Sequence, residues 1–123
     1  GCSAPSDTTE LPSGSFINVN PHEAYELIGE NEDNARFIIL DVRTPEEFQQ
    51  GRLAGAINID VQSGKFIENI SGLDRDAIYL VYCRTANRSL TASNVMIKEG
   101  CSGFYHMTGG IVQWQSFGYP VVT

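Results

Sequence analysis

The stretch at 80–89, LVYCRTANRS, places a cysteine directly after an apolar run and two arginines shortly behind it. Cys83 is the residue of this stretch that could act as a nucleophile. Arg84 and Arg88 bracket a short loop that leads into a predicted helix. Both guanidinium groups, and the positive end of that helix, favour a thiolate over a thiol. The sequence therefore predicts a nucleophilic Cys83 in a loop of residues 83–88.

The positive charge around Cys83 also predicts the charge of its substrate. A thiolate that meets an anion about 4 Å away is opposed by roughly 4 kcal/mol per charge pair at an effective dielectric constant of about 20. Two arginines and the free N–H groups of the loop offset that repulsion, so the arrangement favours an anionic substrate. The competing interpretation is a buried structural cysteine flanked by solvated arginines.

The elements that must position this loop alternate between strand and helix. Apolar runs at 36–42 and 77–82 are typical of strands buried on both faces. Shorter strands are expected at 15–20, 51–59 and 103–107, and helices at 21–30, 44–48, 63–70, 88–100 and after 108. This alternation predicts an α/β layered fold with a mostly parallel sheet. Ligands of such sheets bind beyond the carboxyl ends of the strands, where Cys83 is expected.

Further polar residues are predicted to support the loop. Asp41 and Arg43 end the strand at 36–42, should lie near Cys83, and are expected to form an ion pair with hydrogen bonds. Ser89 could cap the following helix or donate a hydrogen bond to the thiolate, and capping is the expected role. Thr85 and Asn87 are expected to contribute backbone amides while their side chains face solvent.

Length and composition exclude several classes of protein. A chain of 123 residues suits one domain, expected at 16–123 after a small, polar, flexible tether at 1–15. The net charge of −7 argues against nucleic acid and anionic membranes as partners. No apolar run approaches the roughly 18 residues of a membrane span. His22 and His106 are far apart, are expected at the surface or in loops, and predict no metal site.

The two other cysteines have separate interpretations. A helix of about 18 Å is expected to separate Cys101 from Cys83, which is beyond disulfide reach, so Cys101 is expected to be a small buried hydrophobe. The opening GCS resembles the mature start of a bacterial lipoprotein, with a lipid on Cys2. That resemblance implies an extracytoplasmic, periplasmic or membrane-tethered protein. The alternative is an arbitrary truncation point and a cytoplasmic protein.

Four segments occur in a characteristic order: ILDVRTPEEFQQGRLAGAINI, YLVYCRTANRS, KEGCSGFYHMTGG and the tryptophan at 114. Together they resemble the successive motifs of single-domain rhodaneses, the thiosulfate-type sulfurtransferases. The similarity runs from about Phe16 to the C-terminus. It implies a three-layer α/β domain, in which helices flank a central, mostly parallel five-stranded sheet.

The same resemblance implies a reaction. Cys83 would attack the outer sulfur of an anionic donor such as thiosulfate, sulfite would leave, and the Cys83 persulfide would pass its sulfur to cyanide, a small thiol or a protein thiol. Arg84 and Arg88 would hold the sulfonate end of the donor. No metal or organic cofactor is implied. The backbone amides of the loop would cradle the persulfide, and they belong to Arg84, Thr85, Ala86, Asn87 and Arg88.

Two alternatives to a sulfurtransferase are open. A small cysteine phosphatase or arsenate reductase is the alternative enzyme, but the related phosphatases have one residue more between cysteine and arginine than the four found here between Cys83 and Arg88. Tyr82 also stands where those phosphatases have an acidic residue or a histidine, so both features favour the sulfurtransferase. A non-catalytic persulfide carrier or interaction module is the other alternative. Ala86 stands where glycine is common and would cost roughly 1–2 kcal/mol if its backbone were left-handed.

Overall fold

The computed structural model describes residues 15–74 and 76–123. The lipid predicted on Cys2, and all but the last residue of the predicted tether, lie outside the described residues. In the described part of the chain, no helix is long and apolar enough to cross a bilayer. The described residues also contain no cluster of side chains that could hold a metal ion.

Five strands form one sheet in the order β1-β5-β4-β2-β3, and each neighbouring pair is parallel. Their bounds are β1 (Phe16–Val19), β2 (Phe37–Asp41), β3 (Ile57–Asn58), β4 (Ile78–Tyr82) and β5 (Phe104–Met107). The prediction of a parallel five-stranded α/β fold is confirmed. β4, which leads into Cys83, is the central strand, because two strands lie on either side of it.

Four helices connect the strands and a fifth follows β5: α1 (Pro21–Glu30), α2 (Pro45–Gln50), α3 (Phe66–Ile70), α4 (Asn87–Lys98) and α5 (Gly110–Ser116). Two of them begin at capping boxes that the sequence encodes. Thr44 caps α2 and accepts a hydrogen bond from the Glu47 N–H, with Pro45 in the first turn. Asn20 caps α1 with Glu23 in the same way. α4 begins at Asn87, without a side-chain cap.

Alternate residues of β4 face opposite sides of the sheet, and this produces three layers. One face packs against α3 and α4, and the other face packs against α1 and α5. The first cluster includes Tyr79, Val81, Cys83, Phe66, Ile70, Ala92 and Met96, and the second includes Leu80, Tyr82, Ala24, Ile111 and Trp114. Cys83 therefore emerges on the α3/α4 face at the carboxyl end of the sheet.

Cys101 lies in the first of these clusters and is buried, as the sequence predicts. The expectation of a plain hydrophobe is nevertheless wrong, because Cys101 is disulfide-bonded. Among the described residues the free cysteine is Cys83.

Candidate active site

The cysteine loop is tied by its carbonyl groups to the start of α5. The N–H groups of Ile111 and Val112 donate to the carbonyls of Cys83 and Arg84, at 3.0 Å and 3.1 Å. In a trans peptide the N–H of the next residue lies in the same plane as the carbonyl and points in the opposite direction. The N–H groups of Arg84 and Thr85 are therefore directed away from α5. The loop is held in the orientation that leaves backbone donors available on its other side.

Gly110 makes this attachment possible. Its backbone is left-handed, with φ at +59°, and a Cβ at this position would collide with the backbone carbonyls of Arg84 and Thr85. Any other residue would push α5 away from the cysteine loop. The two consecutive glycines after β5 are typical of a turn, but this local pattern does not indicate a contact with the loop.

Ala86 is not strained. Its φ of −164° and ψ of −21° lie outside the left-handed region, so the cost expected for a left-handed alanine does not arise. Its carbonyl accepts from the Leu90 N–H at 2.8 Å and from the Ser89 hydroxyl at 3.0 Å. Thr85 and Asn87 are exposed. The first N–H groups of α4, beginning with Asn87, have no acceptor within the helix.

The expectation that Ser89 caps the helix is wrong. Ala86 occupies the capping position of α4, and Ser89 lies within the first turn, fully buried. Its hydroxyl oxygen lies 2.6 Å from Nε2 of His106, whose Nδ1 lies 2.8 Å from Oδ1 of Asn18. Ser89 therefore links the cysteine loop to β5 and, through His106, to β1.

His106 is not a surface residue, contrary to the sequence expectation. It lies on β5 and is 2% exposed, and its burial lowers its pKa below the usual value. Its position in β5 places its side chain on a buried face of the sheet. The spacing of the two histidines in the sequence bears only on metal binding and does not reveal this. His22, in contrast, is exposed and lies 2.6 Å from the Tyr119 hydroxyl.

Asp41 and Arg43 form a buried ion pair at the end of β2. Arg43 Nη2 lies 2.6 Å from Asp41 Oδ2, and Arg43 Nε and its backbone N–H donate to Oδ1. The Tyr82 hydroxyl donates to Oδ2 at 2.7 Å. Because Tyr82 directly precedes Cys83, this network connects the ends of β2 and β4 beside the loop.

Arg88 pairs with a residue that the sequence analysis did not connect to the site. Its Nη1 and Nη2 donate to the two carboxylate oxygens of Glu47 on α2, at 2.6 Å and 2.9 Å. The hydrogen bond from Arg88 is the largest influence that lowers the Glu47 pKa, to about 2. Glu47 in turn raises the pKa of Arg88, and negative charge on Cys83 contributes to that rise. Arg88 therefore lies near Cys83, but part of its hydrogen-bonding capacity is already engaged by Glu47.

Arg84 is placed differently from Arg88. Its side chain is exposed and lines a cavity of about 380 Å³. The other residues that line this cavity are Arg43, Glu47, Gln50, Gly51, Ile111, Val112 and Gln115. The cavity therefore lies between α2, α5 and the cysteine loop, and Arg84 adds positive charge to its wall.

Cys83 itself is covered. It is 1% exposed, so a solvent-borne anion does not reach the sulfur directly in this conformation. The thiol belongs to the α3/α4 core cluster, and the attachment of the loop to α5 holds it there. An incoming substrate needs side chains at the rim of the loop to move before it contacts Sγ.

A buried cysteine at the carboxyl end of the central strand, an arginine after four intervening residues and a helix N-terminus in the same loop form a site for nucleophilic sulfur chemistry. The rhodanese-like domain family model matches residues 20–117. The chain belongs to the rhodanese-like domain family. It is a rhodanese-type sulfurtransferase.

Individual proteins agree with this assignment. The chain is 32% identical over 111 residues to thiosulfate sulfurtransferase GlpE of Pseudomonas paraeruginosa. The aligned region covers 90% of this chain and 94% of that protein. A rhodanese-related protein of Thermoplasma volcanium superposes with a TM-score of 0.72 at 33% identity, over 87% of this chain and 98% of the other. A Rhodopseudomonas palustris protein named a possible tyrosine phosphatase has a TM-score of 0.70 at 21% identity, over 87% of this chain and 85% of that one. At 21% identity, the similarity to the Rhodopseudomonas palustris protein shows only a shared fold.

Proposed function

We propose that this rhodanese-like domain transfers sulfane sulfur from thiosulfate, or a similar anionic donor, through a Cys83 persulfide to a thiophilic acceptor. The observation that supports this most is the position of Cys83 in a loop with four residues before Arg88, at the carboxyl end of the central strand. The name of the Pseudomonas relative supports thiosulfate as the donor. A small thiol, a protein thiol or cyanide is the proposed acceptor.

The reaction has two covalent steps. In the first, the Cys83 thiolate attacks the outer sulfur of thiosulfate, a new S–S bond forms, and the bond between the two sulfur atoms of the donor breaks. Sulfite leaves with the bonding electron pair, and Cys83 becomes a persulfide. In the second step, an acceptor thiolate or cyanide attacks the outer sulfur of the persulfide. The Cys83 thiolate is then regenerated, with no net oxidation of the protein.

The loop supplies the proposed stabilisation of the persulfide. The N–H groups of Arg84 and Thr85 point away from α5, and the first N–H groups of α4 are without helical acceptors. Donors of this kind stabilise negative charge on a terminal sulfur. Arg84, on the cavity wall, is the residue proposed to hold the sulfonate end of the donor. Arg88 adds positive charge near Cys83.

The polar networks around the loop have a supporting role in this proposal. Asp41 and Arg43 fix the end of β2 against Tyr82, the residue before Cys83. Ser89 holds the carbonyl of Ala86 and so fixes the loop where it joins α4. Neither network needs to contact the donor for this effect.

The test is mass spectrometry of the intact protein after incubation with thiosulfate. We expect wild type to gain one sulfur atom, located on Cys83 after digestion, and to lose it when cyanide is added. Cys83→Ser should gain none while it keeps the wild-type circular dichroism spectrum. A sulfur atom located elsewhere, or none at all, would overturn the proposal. A persulfide that no acceptor removes would indicate a carrier, and hydrolysis of an aryl phosphate would indicate a phosphatase.

Arg84→Gln tests the donor site separately from the nucleophile. We expect a lower kcat/KM for thiosulfate, by about tenfold, because one cation on the cavity wall is lost. Arg88→Ala should also weaken donor use. Lys98→Gln, at the distant end of α4, removes the same charge and is the control. Equal kinetics in Arg84→Gln and Lys98→Gln would show that Arg84 does not contact the donor.

A further inference from the structure

Glu47 is a carboxylate held at the site by contacts that fix both of its oxygens. Oε1 accepts from Arg88 at 2.6 Å, and it also accepts from the Thr44 hydroxyl at 3.0 Å and the Thr44 N–H at 3.2 Å. Oε2 accepts from Arg88 at 2.9 Å. Because all of these partners donate hydrogen bonds, they favour the ionised form of the carboxylate. The capping box keeps Glu47 at the first turn of α2.

This carboxylate changes the balance of charge at the cysteine loop. Arg43 is paired with Asp41, and Arg88 is paired with Glu47. Glu47 also lines the cavity beside Arg84. The wall of that cavity therefore carries one anion, Glu47, and one cation, Arg84, for which the described residues show no ion pair. Because Arg88 lies near Cys83, an anionic donor that approaches Cys83 would be repelled by Glu47 and would compete with Glu47 for Arg88.

We infer that Glu47 sets the charge selectivity of the site, so that it disfavours dianionic sulfur donors relative to monoanionic donors with the same reacting group. This inference rests on the proposed function, because it concerns the donor in the first step. Glu47 takes no part in bond making or bond breaking. It acts through its own charge on the cavity wall and through its hold on Arg88.

A pair of donors isolates the effect of charge. Thiosulfate carries two negative charges, and methanethiosulfonate carries one. Each presents a terminal sulfur to the Cys83 thiolate, and each gives the same Cys83 persulfide. The S–S bond of the donor breaks heterolytically in both reactions, and the leaving group is sulfite in one and methanesulfinate in the other. Atoms and charge balance in both cases without an added oxidant or reductant.

The experiment measures the second-order rate constant for persulfide formation with each donor and takes the ratio of thiosulfate to methanethiosulfonate. We expect Glu47→Gln to raise this ratio by about three- to tenfold, the effect of removing one partly screened unit charge. Glu47→Asp keeps the carboxylate and should keep a ratio close to wild type. Glu46→Gln makes the same chemical change at the exposed neighbouring residue and is the matched control.

The alternative is that Glu47 only orients Arg88. In that case Glu47→Gln would slow both donors to the same extent, and an unchanged or lower ratio would overturn the inference. A ratio that rises equally in Glu46→Gln would also overturn it, since it would show a general effect of protein charge. Wild type that forms no persulfide with either donor would overturn the proposed function as well. Normal wild-type turnover with an unchanged Glu47→Gln ratio would overturn the selectivity role alone.

Discussion

Two arginine–carboxylate pairs border the same cavity beside the cysteine loop, but water reaches only one of them. The side chains of Asp41 and Arg43 are 0% and 6% exposed, whereas those of Glu47 and Arg88 are 27% and 22% exposed. Arg43 and Glu47 both line the cavity. The two pairs are therefore similar in chemistry and position, and they differ in burial and in the number of further hydrogen bonds.

The buried pair is surrounded by other polar partners. The Tyr82 hydroxyl donates to Asp41, Arg43 donates to the Gly51 carbonyl at 2.6 Å, and the Asn58 side chain donates to the carbonyls of Asp41 and Arg43. Glu47 and Arg88 make fewer additional hydrogen bonds, and their side chains are more exposed to solvent. A buried ionic network loses a large amount of free energy when one member is removed, whereas an exposed pair exchanges easily with water or another ion. We infer that the first pair fixes the strand ends and that the second remains available to a substrate.

The largest expected effect is the loss of stability in Asp41→Asn. This change keeps the shape of the side chain but leaves Arg43 buried without a counterion, which costs about 3–5 kcal/mol of unfolding free energy. Urea unfolding at neutral pH measures it. Asp33→Asn, at an exposed position, is the matched control and should change stability by less than about 0.5 kcal/mol. A loss of less than about 1 kcal/mol in Asp41→Asn would remove the distinction between the two pairs.

A smaller loss is expected when only a neutral member of the buried network is removed. Tyr82→Phe keeps the ring but loses the hydroxyl that donates to Asp41 and accepts from the Leu53 N–H. Burial, followed by the charge of Asp41, raises the pKa of Tyr82 well above its ordinary value, so the hydroxyl keeps its proton. We expect a loss of about 1–3 kcal/mol in urea unfolding. Tyr25→Phe, on an exposed ring, should have almost no effect and serves as the control.

The difference between the pairs also explains what the sequence could predict. Asp41 and Arg43 end a strand next to the strand that precedes Cys83, so parallel strand ends alone brought them to the loop. Glu47 and Arg88 are 41 residues apart on two helices, and only the packing of α2 and α4 determines that they meet. Glu47 has a local role in the capping box of α2, and that role gives no indication of its second partner, Arg88.

The same reasoning applies to the other features that the sequence predicted or missed. Apolar runs, prolines and helix caps encode the strands and helices, and all of these signals are local. The contact of Gly110 with the loop carbonyls, and the link from Ser89 to His106 and Asn18, join segments that are distant in sequence. Burial of Cys83 depends on the packing of α3 and α4 against its face of the sheet, which no local pattern encodes.

The exposed pair should contribute little to stability. In a double-mutant cycle of Glu47→Gln and Arg88→Gln, we expect a coupling free energy below about 1 kcal/mol, because solvent screens the pair. The coupling is measured from urea unfolding of wild type, both single variants and the double variant. It should fall further at high salt. A coupling of about 3 kcal/mol or more, insensitive to salt, would mean that this pair behaves like the buried one.

The smallest expected effect is the dependence on acidic pH of the stability that the Glu47–Arg88 pair contributes. The folded protein lowers the pKa of Glu47 from 4.5 to about 2, with the Arg88 hydrogen bond as the largest cause. As the pH falls below 4.5, the unfolded chain takes up a proton at Glu47 before the folded protein does, so the stabilisation declines and is lost as the pH falls through about 2. The stability difference between wild type and Glu47→Gln should therefore shrink between these two values. Gln can keep the capping box, so the comparison isolates charge. A difference that stays constant from neutral pH to pH values near 2 would show that the carboxylate charge does not stabilise this pair.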